Sequence, residues 1–177
     1  MLGQVEGLGN VLDGRLVVTR QVMAWLWPRM PKLFAYGEFP VWVIDDGSAG
    51  IHYGVPLMPH RPGFKIAYHK PASQTDPIHV DRQLRPEDEQ VFRPVLEQFI
   101  PDANGPLLSM DVCLYTNSSD GHFIIDLHPD DDRVVIACGF SGHGFKFASV
   151  MGEALSDLVE KGKTDLPIGF LGLSRFG

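Results

Sequence analysis

The stretch "HFIIDLHPDDDRVVIACGF", residues 122–140, decides the fold class of this chain. Two apolar runs, His122–Leu127 and Arg133–Phe140, flank the turn-forming segment "HPDDD". Runs rich in isoleucine and valine on both sides of such a turn predict an antiparallel hairpin. A hairpin here favours an antiparallel sheet over a doubly wound parallel one.

Further strands are predicted upstream of the hairpin. Short runs rich in β-branched and aromatic residues, bounded by glycine and proline, are typical of strands. The runs with this pattern are "RLVVTRQVMAWLW", "FPVWVI", "GIHYGV", "GFKIAYH" and "LSMDVCLYT". Many strands with few strand-helix-strand alternations predict an α+β fold with a largely antiparallel mixed sheet. A doubly wound nucleotide-binding domain is not expected.

Two main helices complete the predicted fold. In "RPEDEQVFRPVLEQFI", Pro86 suits a first helical position, while Pro94 should kink or split the helix. The second helix begins near Lys146 and ends before Gly162, and the tail "TDLPIGFLGLSRFG" is expected to be extended and irregular. Residues at helical spacing predict the apolar faces: Val91, Phe92, Val95, Leu96 and Phe99 in the first helix, and Phe147, Val150, Met151, Ala154, Leu155, Leu158 and Val159 in the second.

Composition limits the possible functions. The 177 residues are 44% hydrophobic and 21% charged, as in an ordinary folded protein, and carry a formal net charge of -7. This acidic balance argues against a broad nucleic-acid or anionic-membrane surface. No apolar stretch reaches the roughly 20 residues of a membrane helix, and "MLGQVEGLGN" does not have the pattern of a secretory signal. We therefore expect a cytoplasmic protein with no nucleic-acid or membrane partner.

The two cysteines do not form a metal or redox motif. Cys113 and Cys138 lie in different apolar segments without CxxC spacing, so neither a zinc knuckle nor a dithiol is predicted. Two buried thiols, or one with a special role, are both open. A polar set at period-two spacing could bind a divalent metal, although such residues more often face water or cap a turn. We expect no metal at this set, which consists of Asp120, His122, Asp126 and His128.

The segment "GFSGHGFKFA", residues 139–148, joins the last strand to the second helix. It is not a Walker loop, because Phe145 separates Gly144 from Lys146 and Phe147 takes the hydroxyl position. It is not the dinucleotide fingerprint GxGxxG either, because Phe147 replaces the third glycine. Its glycines let the main chain approach a flat or bulky group. Lys146 in a first helical turn opposes the helix dipole, so either a nearby anion offsets it or it turns to solvent.

This loop, together with "DVCLYTNSSDGHFIIDLHP" and "YGVPLMPHRPGFKIAYH", resembles the C-terminal half of the monomeric sarcosine oxidase and N-methyltryptophan oxidase family, flavoproteins that oxidise secondary amino acids. The similarity extends in order from "VVTRQV" to the closing "LSRF". It implies a substrate-side sheet portion, residues 1–137, followed by a flavin-contacting loop, helix and tail, residues 138–177. Full-length members begin with a dinucleotide-binding region, and no GxGxxG follows a strand in this sequence. The resemblance thus implies a missing N-terminal FAD-binding half.

The resemblance also assigns roles to single residues. Cys113 matches the cysteine that forms a thioether to FAD in the family, and Tyr115, two residues along the strand, shares its face. Lys65 matches the lysine that helps reduced flavin pass electrons to oxygen. Lys146 matches the lysine that pairs with the substrate carboxylate. The cofactor-binding loop implied with Cys113 and Lys146 also includes Gly142, His143, Gly144 and Phe145.

Lys65, His69 and Tyr53 are the catalytic candidates. The resemblance places His69, Tyr53 and Tyr115 in the substrate pocket with Lys146. Strand periodicity separately puts Lys65, Ala67 and His69 on one face of "GFKIAYH", which without the resemblance would be called solvent-facing. The segment between Tyr53 and Lys65 is one residue longer than the family pattern, so the roles of His60 and Arg61 are open.

The predicted function is that of part of an FAD-dependent oxidase of N-methyl amino acids, such as sarcosine or N-methyltryptophan. Such an oxidase uses oxygen and yields hydrogen peroxide and formaldehyde. Whether the chain is itself an enzyme stays open, since the alternative is a catalytically silent fragment or a subunit that needs a separate FAD-binding chain. We expect FAD, held covalently through Cys113 in the complete enzyme, to be absent from the chain alone, which should be colourless and inactive.

Overall fold

The computed structural model describes residues 9–47, 50–69 and 73–177. These residues divide into two compact units, each described by itself. The sheet unit comprises Arg20–Thr75 and His79–Cys113. The hairpin unit comprises the described residues up to Thr19, Asp76–Ile78 and Leu114–Gly177. The functional division between residues 137 and 138 stays a prediction.

The described residues form strands, α-helices and short 3-10 turns. The strands are β1 (Leu16–Leu26), β2 (Trp42–Asp45), β3 (Ile51–Val55), β4 (Phe64–His69), β5 (Leu107–Ser118), β6 (Ile124–His128) and β7 (Asp131–Cys138). The helices are α1 (Gly9–Leu12), α2 (Pro86–Gln90), α3 (Arg93–Phe99) and α4 (Ala148–Lys161). Every predicted strand is present with small shifts at its ends, which confirms the α+β prediction.

The sheet unit is built on a five-stranded sheet in the order β2-β3-β4-β1-β5. The pairs β2-β3, β3-β4 and β4-β1 are antiparallel. Strands β1 and β5 continue along the chain into the hairpin unit, with the unit boundaries after Thr19 and Cys113. The register places Trp25 opposite Lys65 and Tyr53 opposite Ala67. Cross-strand partners share a face, so these four residues lie on the same side of the sheet.

The other side of the sheet forms the core of the sheet unit. Phe64 and Ile66 are fully buried there, and the Phe64 ring stacks on the Trp42 ring with centroids 5.4 Å apart. His52, also buried, lies with its Nε2 3.2 Å from the Val91 carbonyl oxygen, and burial lowers its pKa. The core on this side is completed by Phe92, Val95 and Leu96 from the helical segment. The other face of the sheet, with Lys65 and Tyr53, is left to polar side chains.

Pro94 splits the first predicted helix, as expected. Helix α2 ends at Gln90 and α3 begins at Arg93. The prediction of one continuous apolar face was wrong at both ends, because Val91 is 44% and Phe99 45% exposed. The break between the two helices changes the direction of the face, so only its central residues reach the core.

The hairpin unit consists of the β6-β7 hairpin packed against α4. The antiparallel register pairs Ile124 with Cys138, which confirms the predicted hairpin. Helix α4 begins at Ala148 rather than near Lys146, which lies in a 3-10 turn at Phe145–Phe147. The helix ends as predicted at Gly162, in the left-handed conformation. Its apolar face is narrower than predicted, since Val159 is 71% exposed.

The C-terminal tail differs from its prediction. It contains two 3-10 turns, Gly169–Leu171 and Leu173–Phe176, where an extended, irregular segment was expected. Leu171 and Leu173 are buried and anchor these turns in the hairpin unit. Across both units, the described residues form no helix that is long and apolar enough to cross a membrane.

Candidate functional site

Lys65 lies at the centre of the polar face of the sheet unit. Its Nζ atom is 5.7 Å from the ring centroid of Trp25 and 5.9 Å from that of Tyr53, which are distances of cation-π contact. The side chain is half-buried, and this burial lowers the pKa of Lys65. The Cys113 sulfur opposes the shift, whereas the Arg61 guanidinium adds to it. The structure therefore holds a cation among rings instead of extending it into water.

Tyr53 and His69 flank this lysine on the same face. Their rings meet edge to face with centroids 6.4 Å apart, and both side chains are half-buried. Tyr53 pairs with Ala67, midway between Lys65 and His69 on β4. The period-two prediction is confirmed, and the three catalytic candidates lie together. Their catalytic roles stay predictions.

The two cysteines have different surroundings. Cys113 is half-buried in the sheet unit and interacts electrostatically with Lys65. Cys138 is 5% exposed in the hairpin unit, and burial raises its pKa to about 11. A buried thiol of that kind is an inert apolar side chain, whereas a partly exposed thiol near a cation has the environment of a reactive one. The special role of Cys113 stays a prediction.

Arg61, whose role the sequence leaves open, lies on the ring of Trp25. Its guanidinium carbon is 3.5 Å from the ring centroid, which is a close cation-π contact. Asp111 of β5 accepts a hydrogen bond of 2.6 Å from the same guanidinium. Sequence reasoning missed Trp25 and Asp111 entirely. Trp25 is brought opposite Lys65 by the β1-β4 register, which a single sequence does not reveal.

The glycine-rich loop of the hairpin unit packs tightly against rings of its own chain. Gly142 has φ +75°, and a Cβ atom there would meet the Tyr115 ring at 2.4 Å. A Cβ atom on Gly144 would meet the Phe140 ring at 2.6 Å. These two glycines are therefore required by contacts within the unit. The predicted contact of this loop with FAD stays a prediction.

Ser141 anchors the loop, and sequence reasoning did not identify it. It is buried with φ +48°, which is rare for a residue other than glycine. Its N–H donates to the Thr116 carbonyl at 3.0 Å, and its hydroxyl donates to the Gly139 carbonyl at 3.0 Å. The hydroxyl oxygen also accepts from the Ser118 N–H at 3.2 Å. These three hydrogen bonds hold this strained residue, as is common next to functional sites.

Beyond Ser141 the loop becomes exposed. The His143 Nδ1 lies 3.0 Å from the Ser141 carbonyl oxygen, and the Phe145 side chain is 96% exposed. The Phe147 N–H donates to the Gly144 carbonyl, so the earlier N–H groups of this turn have no acceptor inside it. The Lys146 side chain is exposed, with its Nζ 5.4 Å from the Phe147 ring centroid. A bound anion would have both the Lys146 ammonium and the N–H groups of the turn within reach.

A cavity of about 720 Å³ opens beside this loop within the hairpin unit. Its wall is largely apolar, and it includes the main chain of the glycines together with the Tyr115 and Phe140 residues. Helix α4 contributes Met151, Gly152 and Leu155. A cavity of this size and character can hold a flat, drug-sized molecule.

The polar set considered for a metal does not form a site. Among the described residues, no group of three or more histidine, cysteine, aspartate and glutamate side chains could hold a metal ion. Asp120 accepts hydrogen bonds from Arg175, which holds the pKa of that carboxyl well below its usual range. Asp126 accepts from the N–H groups of Leu127 and Leu173. These carboxylates serve the local structure.

Comparison with known proteins gives relatives over most of the chain. It is 43% identical over 158 residues to the monomeric sarcosine oxidase of a Bacillus species, covering 88% of this chain and 40% of the relative. It is 33% identical over 162 residues to the N-methyl-L-tryptophan oxidase of Escherichia coli, covering 89% and 42% respectively. The chain therefore spans only about two fifths of the length of these relatives.

The fold has solved counterparts. The crystal structure of fructosamine oxidase (Amadoriase II) from Aspergillus fumigatus matches with a TM-score of 0.70 at 22% identity, over 90% of this chain and 38% of that one. At this identity the match supports the fold alone. The sequence model of the DAO family, described as FAD dependent oxidoreductase, matches residues 5–158. Since this match covers most of the chain, the protein belongs to the FAD dependent oxidoreductase (DAO) family.

Proposed function

We propose that this chain is the substrate-side and C-terminal part of an FAD-dependent oxidase that acts on secondary, N-methyl amino acids. The printed names of the relatives, sarcosine oxidase and N-methyl-L-tryptophan oxidase, support this substrate class. The observation that carries the proposal is the cluster of Lys65, Tyr53 and His69 on one face of the sheet unit. A half-buried cation among aromatic rings fits redox chemistry with small anionic partners.

The residues present fit a flavin. Cys113 is a partly exposed thiol with a cation nearby, as expected of a cysteine that forms a thioether. The exposed Phe145 and the apolar cavity beside Gly142 and Tyr115 fit a flat aromatic group. When bound, FAD would accept a hydride equivalent from the N-methyl carbon of the substrate and pass the two electrons to oxygen, which gives hydrogen peroxide. Hydrolysis of the resulting imine gives formaldehyde and a primary amino acid.

Lys65 would assist the step in which reduced flavin passes electrons to oxygen. A fixed ammonium stabilises negative charge that develops on oxygen as electrons arrive. Contact with the rings of Trp25 and Tyr53 holds the ammonium in position, so little reorganisation is needed when that charge appears. The lowered pKa of Lys65 also makes it a better proton donor to a reduced oxygen species.

Lys146 would bind the carboxylate of the substrate. Its exposed ammonium, together with the N–H groups at the start of its 3-10 turn, suits a carboxylate. A charge-assisted hydrogen bond of this kind contributes about 1.5–3 kcal/mol. The roles of Tyr53, His69 and Tyr115 toward the substrate stay predictions from the resemblance. A cytoplasmic location is still a prediction from the sequence.

Reconstitution tests the proposal. The chain is co-expressed with the portion of the Bacillus sarcosine oxidase that it does not cover, and peroxide is measured with sarcosine and with N-methyl-L-tryptophan. We expect a yellow complex that forms peroxide from one of these substrates, whereas each part alone forms none. A flavin-containing complex that oxidises neither substrate would contradict the proposal.

The second candidate is a catalytically silent chain, or a subunit that needs a separately encoded FAD-binding partner. The two candidates differ in the reconstitution experiment. A subunit regains substrate-dependent peroxide formation with the added portion, and a silent chain does not.

A further inference from the structure

The side chains around Lys65 include a second cation that the proposed chemistry does not use. Arg61 stacks on one ring, Trp25, that Lys65 also contacts, so both charges lie within 6 Å of the same ring centroid. Trp25 is 5% exposed and is the cross-strand partner of Lys65. The arginine lies in the segment between β3 and β4 and so covers this part of the face.

Arg61 is fixed in this position from two sides. Its guanidinium carbon lies over the indole ring, and Asp111, which like Arg61 is partly exposed, accepts its hydrogen bond at 2.6 Å. Asp111 and Cys113 are two residues apart on β5 and therefore share a face. A planar guanidinium with an aromatic surface and a carboxylate partner loses little freedom, so its charge stays in one place.

We propose that Arg61, which lies over Trp25 and donates to Asp111, is a positioning residue that acts on the charge state of the Lys65 ammonium. The reason is that an arginine stays protonated at every relevant pH, whereas a lysine can release its proton. Repulsion between the two cations therefore changes the protonation of Lys65 and leaves Arg61 protonated. The role of this lysine in the oxygen reaction rests on the proposed function, whereas the coupling between the two cations does not.

Each neighbouring strand places other groups near Lys65. Trp25 on β1 is uncharged, and the Tyr53 ring faces Lys65 from β3. On β5, the Cys113 sulfur acts in the opposite direction from Arg61, and the Asp111 carboxylate is engaged by Arg61 itself. His69 lies on the same strand, four residues away. Arg61 is thus the permanent cation on this face that acts against the protonated form of Lys65.

The test is the titration of Lys65 in the 177-residue chain, followed by NMR of ¹³C-labelled lysine side chains. The Lys65 signal is assigned by its absence in Lys65→Met. In Arg61→Gln, which removes the charge and keeps a planar end group, the midpoint of Lys65 should move to higher pH. An unchanged midpoint would overturn the proposal. A downward shift would overturn it as well.

Two further variants make the result decisive. Arg29→Gln removes another carboxylate-paired arginine of the sheet unit, whose guanidinium is 3.6 Å from Glu97, and should leave the Lys65 midpoint unchanged. Arg61→Met keeps an unbranched apolar side chain over Trp25 and replaces Arg61→Gln if that variant does not fold. It should produce the same upward shift, and a midpoint equal to that of the original chain would again contradict the coupling.

Reconstituted, flavin-containing protein separates this inference from the proposed function. If Lys65 serves oxygen, the pH at which flavin reoxidation slows should rise in Arg61→Gln together with the NMR midpoint. If the midpoint rises while the reoxidation profile stays the same, the proposed oxygen role of Lys65 fails and the coupling stands. If the midpoint itself does not move, the coupling fails whatever the kinetics show.

Discussion

Lys65 and Lys146 are both candidate site cations, yet their surroundings differ in almost every respect. Lys65 is half-buried, contacts two aromatic rings and has a lowered pKa. Lys146 is exposed in a 3-10 turn and touches one ring, that of its neighbour Phe147. Burial makes a charge responsive to nearby electron and proton transfer, whereas exposure leaves it able to bind and release an ion.

The two units therefore hold cations of different character. The sheet unit holds a cation whose charge state can change, as a reaction with oxygen needs. The hairpin unit holds a cation at the end of an exposed turn, as reversible binding of a carboxylate needs. Each unit can therefore be impaired without directly impairing the other.

The largest effect is expected for Lys65→Met in the reconstituted protein. Removing one preorganised electrostatic partner lowers a rate by about 10²–10³-fold. We expect a loss of this order in flavin reoxidation and a much smaller one in flavin reduction, both measured by stopped-flow absorbance. The matched control is Lys146→Met, which should leave reoxidation unchanged. Slower reduction with normal reoxidation in Lys65→Met would reverse the assignment.

A smaller effect is expected for Gly142→Ala. The positive φ and the contact with the Tyr115 ring should lower the free energy of unfolding by about 1–3 kcal/mol. Urea denaturation of the chain measures this value. Gly152→Ala is the matched control, since nothing lies within 4 Å of its Cβ position in α4 and alanine favours helix by about 0.5–1 kcal/mol. Equal stabilities of the two variants would argue against the tight loop packing.

Lys146→Ala should weaken substrate binding. Because the ammonium is exposed, we expect the lost free energy to lie at the low end of the range for a charge-assisted hydrogen bond. The Kd of a carboxylate-bearing inhibitor should therefore rise about tenfold. The measurement is a titration of the flavin absorbance spectrum with that inhibitor. Unchanged affinity would remove Lys146 from the substrate site.

The smallest effect concerns pH and stability. The folded-state pKa of Lys65 lies below its ordinary value of 10.5, so the unfolded chain binds more protons between these two values. Its unfavourable contribution is therefore fully present below the folded-state pKa and disappears as pH rises to 10.5. The stability of Lys65→Met relative to the original chain should accordingly decrease between pH 7 and pH 10.5 in urea denaturation. An increase would mean that the pKa of Lys65 is raised.

Local patterns predicted the parts of the fold that depend on them. Alternation in "GFKIAYH" placed Lys65 and His69 on one face, and the turn "HPDDD" placed the hairpin. Periodicity shows which residues share a face but not how wide the buried stripe is. Val91, Phe99 and Val159 were for this reason expected in the core although they are exposed.

Contacts between distant segments were not predictable in the same way. Trp25 and Lys65 meet because of the β1-β4 register, and Arg61 reaches Trp25 from a loop whose conformation no motif specifies. The buried Ser141 was overlooked because its role depends on hydrogen bonds to β5 and not on its neighbours in the motif. The roles assigned to the candidate site came from resemblance, and the structure adds the surroundings that make these roles testable.

The central claim is that the sheet unit binds FAD covalently through Cys113, and the most direct measurement is the location of flavin in the reconstituted protein. The protein is precipitated with acid, digested and analysed by mass spectrometry. We expect flavin on the peptide that contains Cys113, and its complete release by acid from Cys113→Ser but not from Cys138→Ser. Flavin released from the original protein by acid, or found on the Cys138 peptide, would contradict the account.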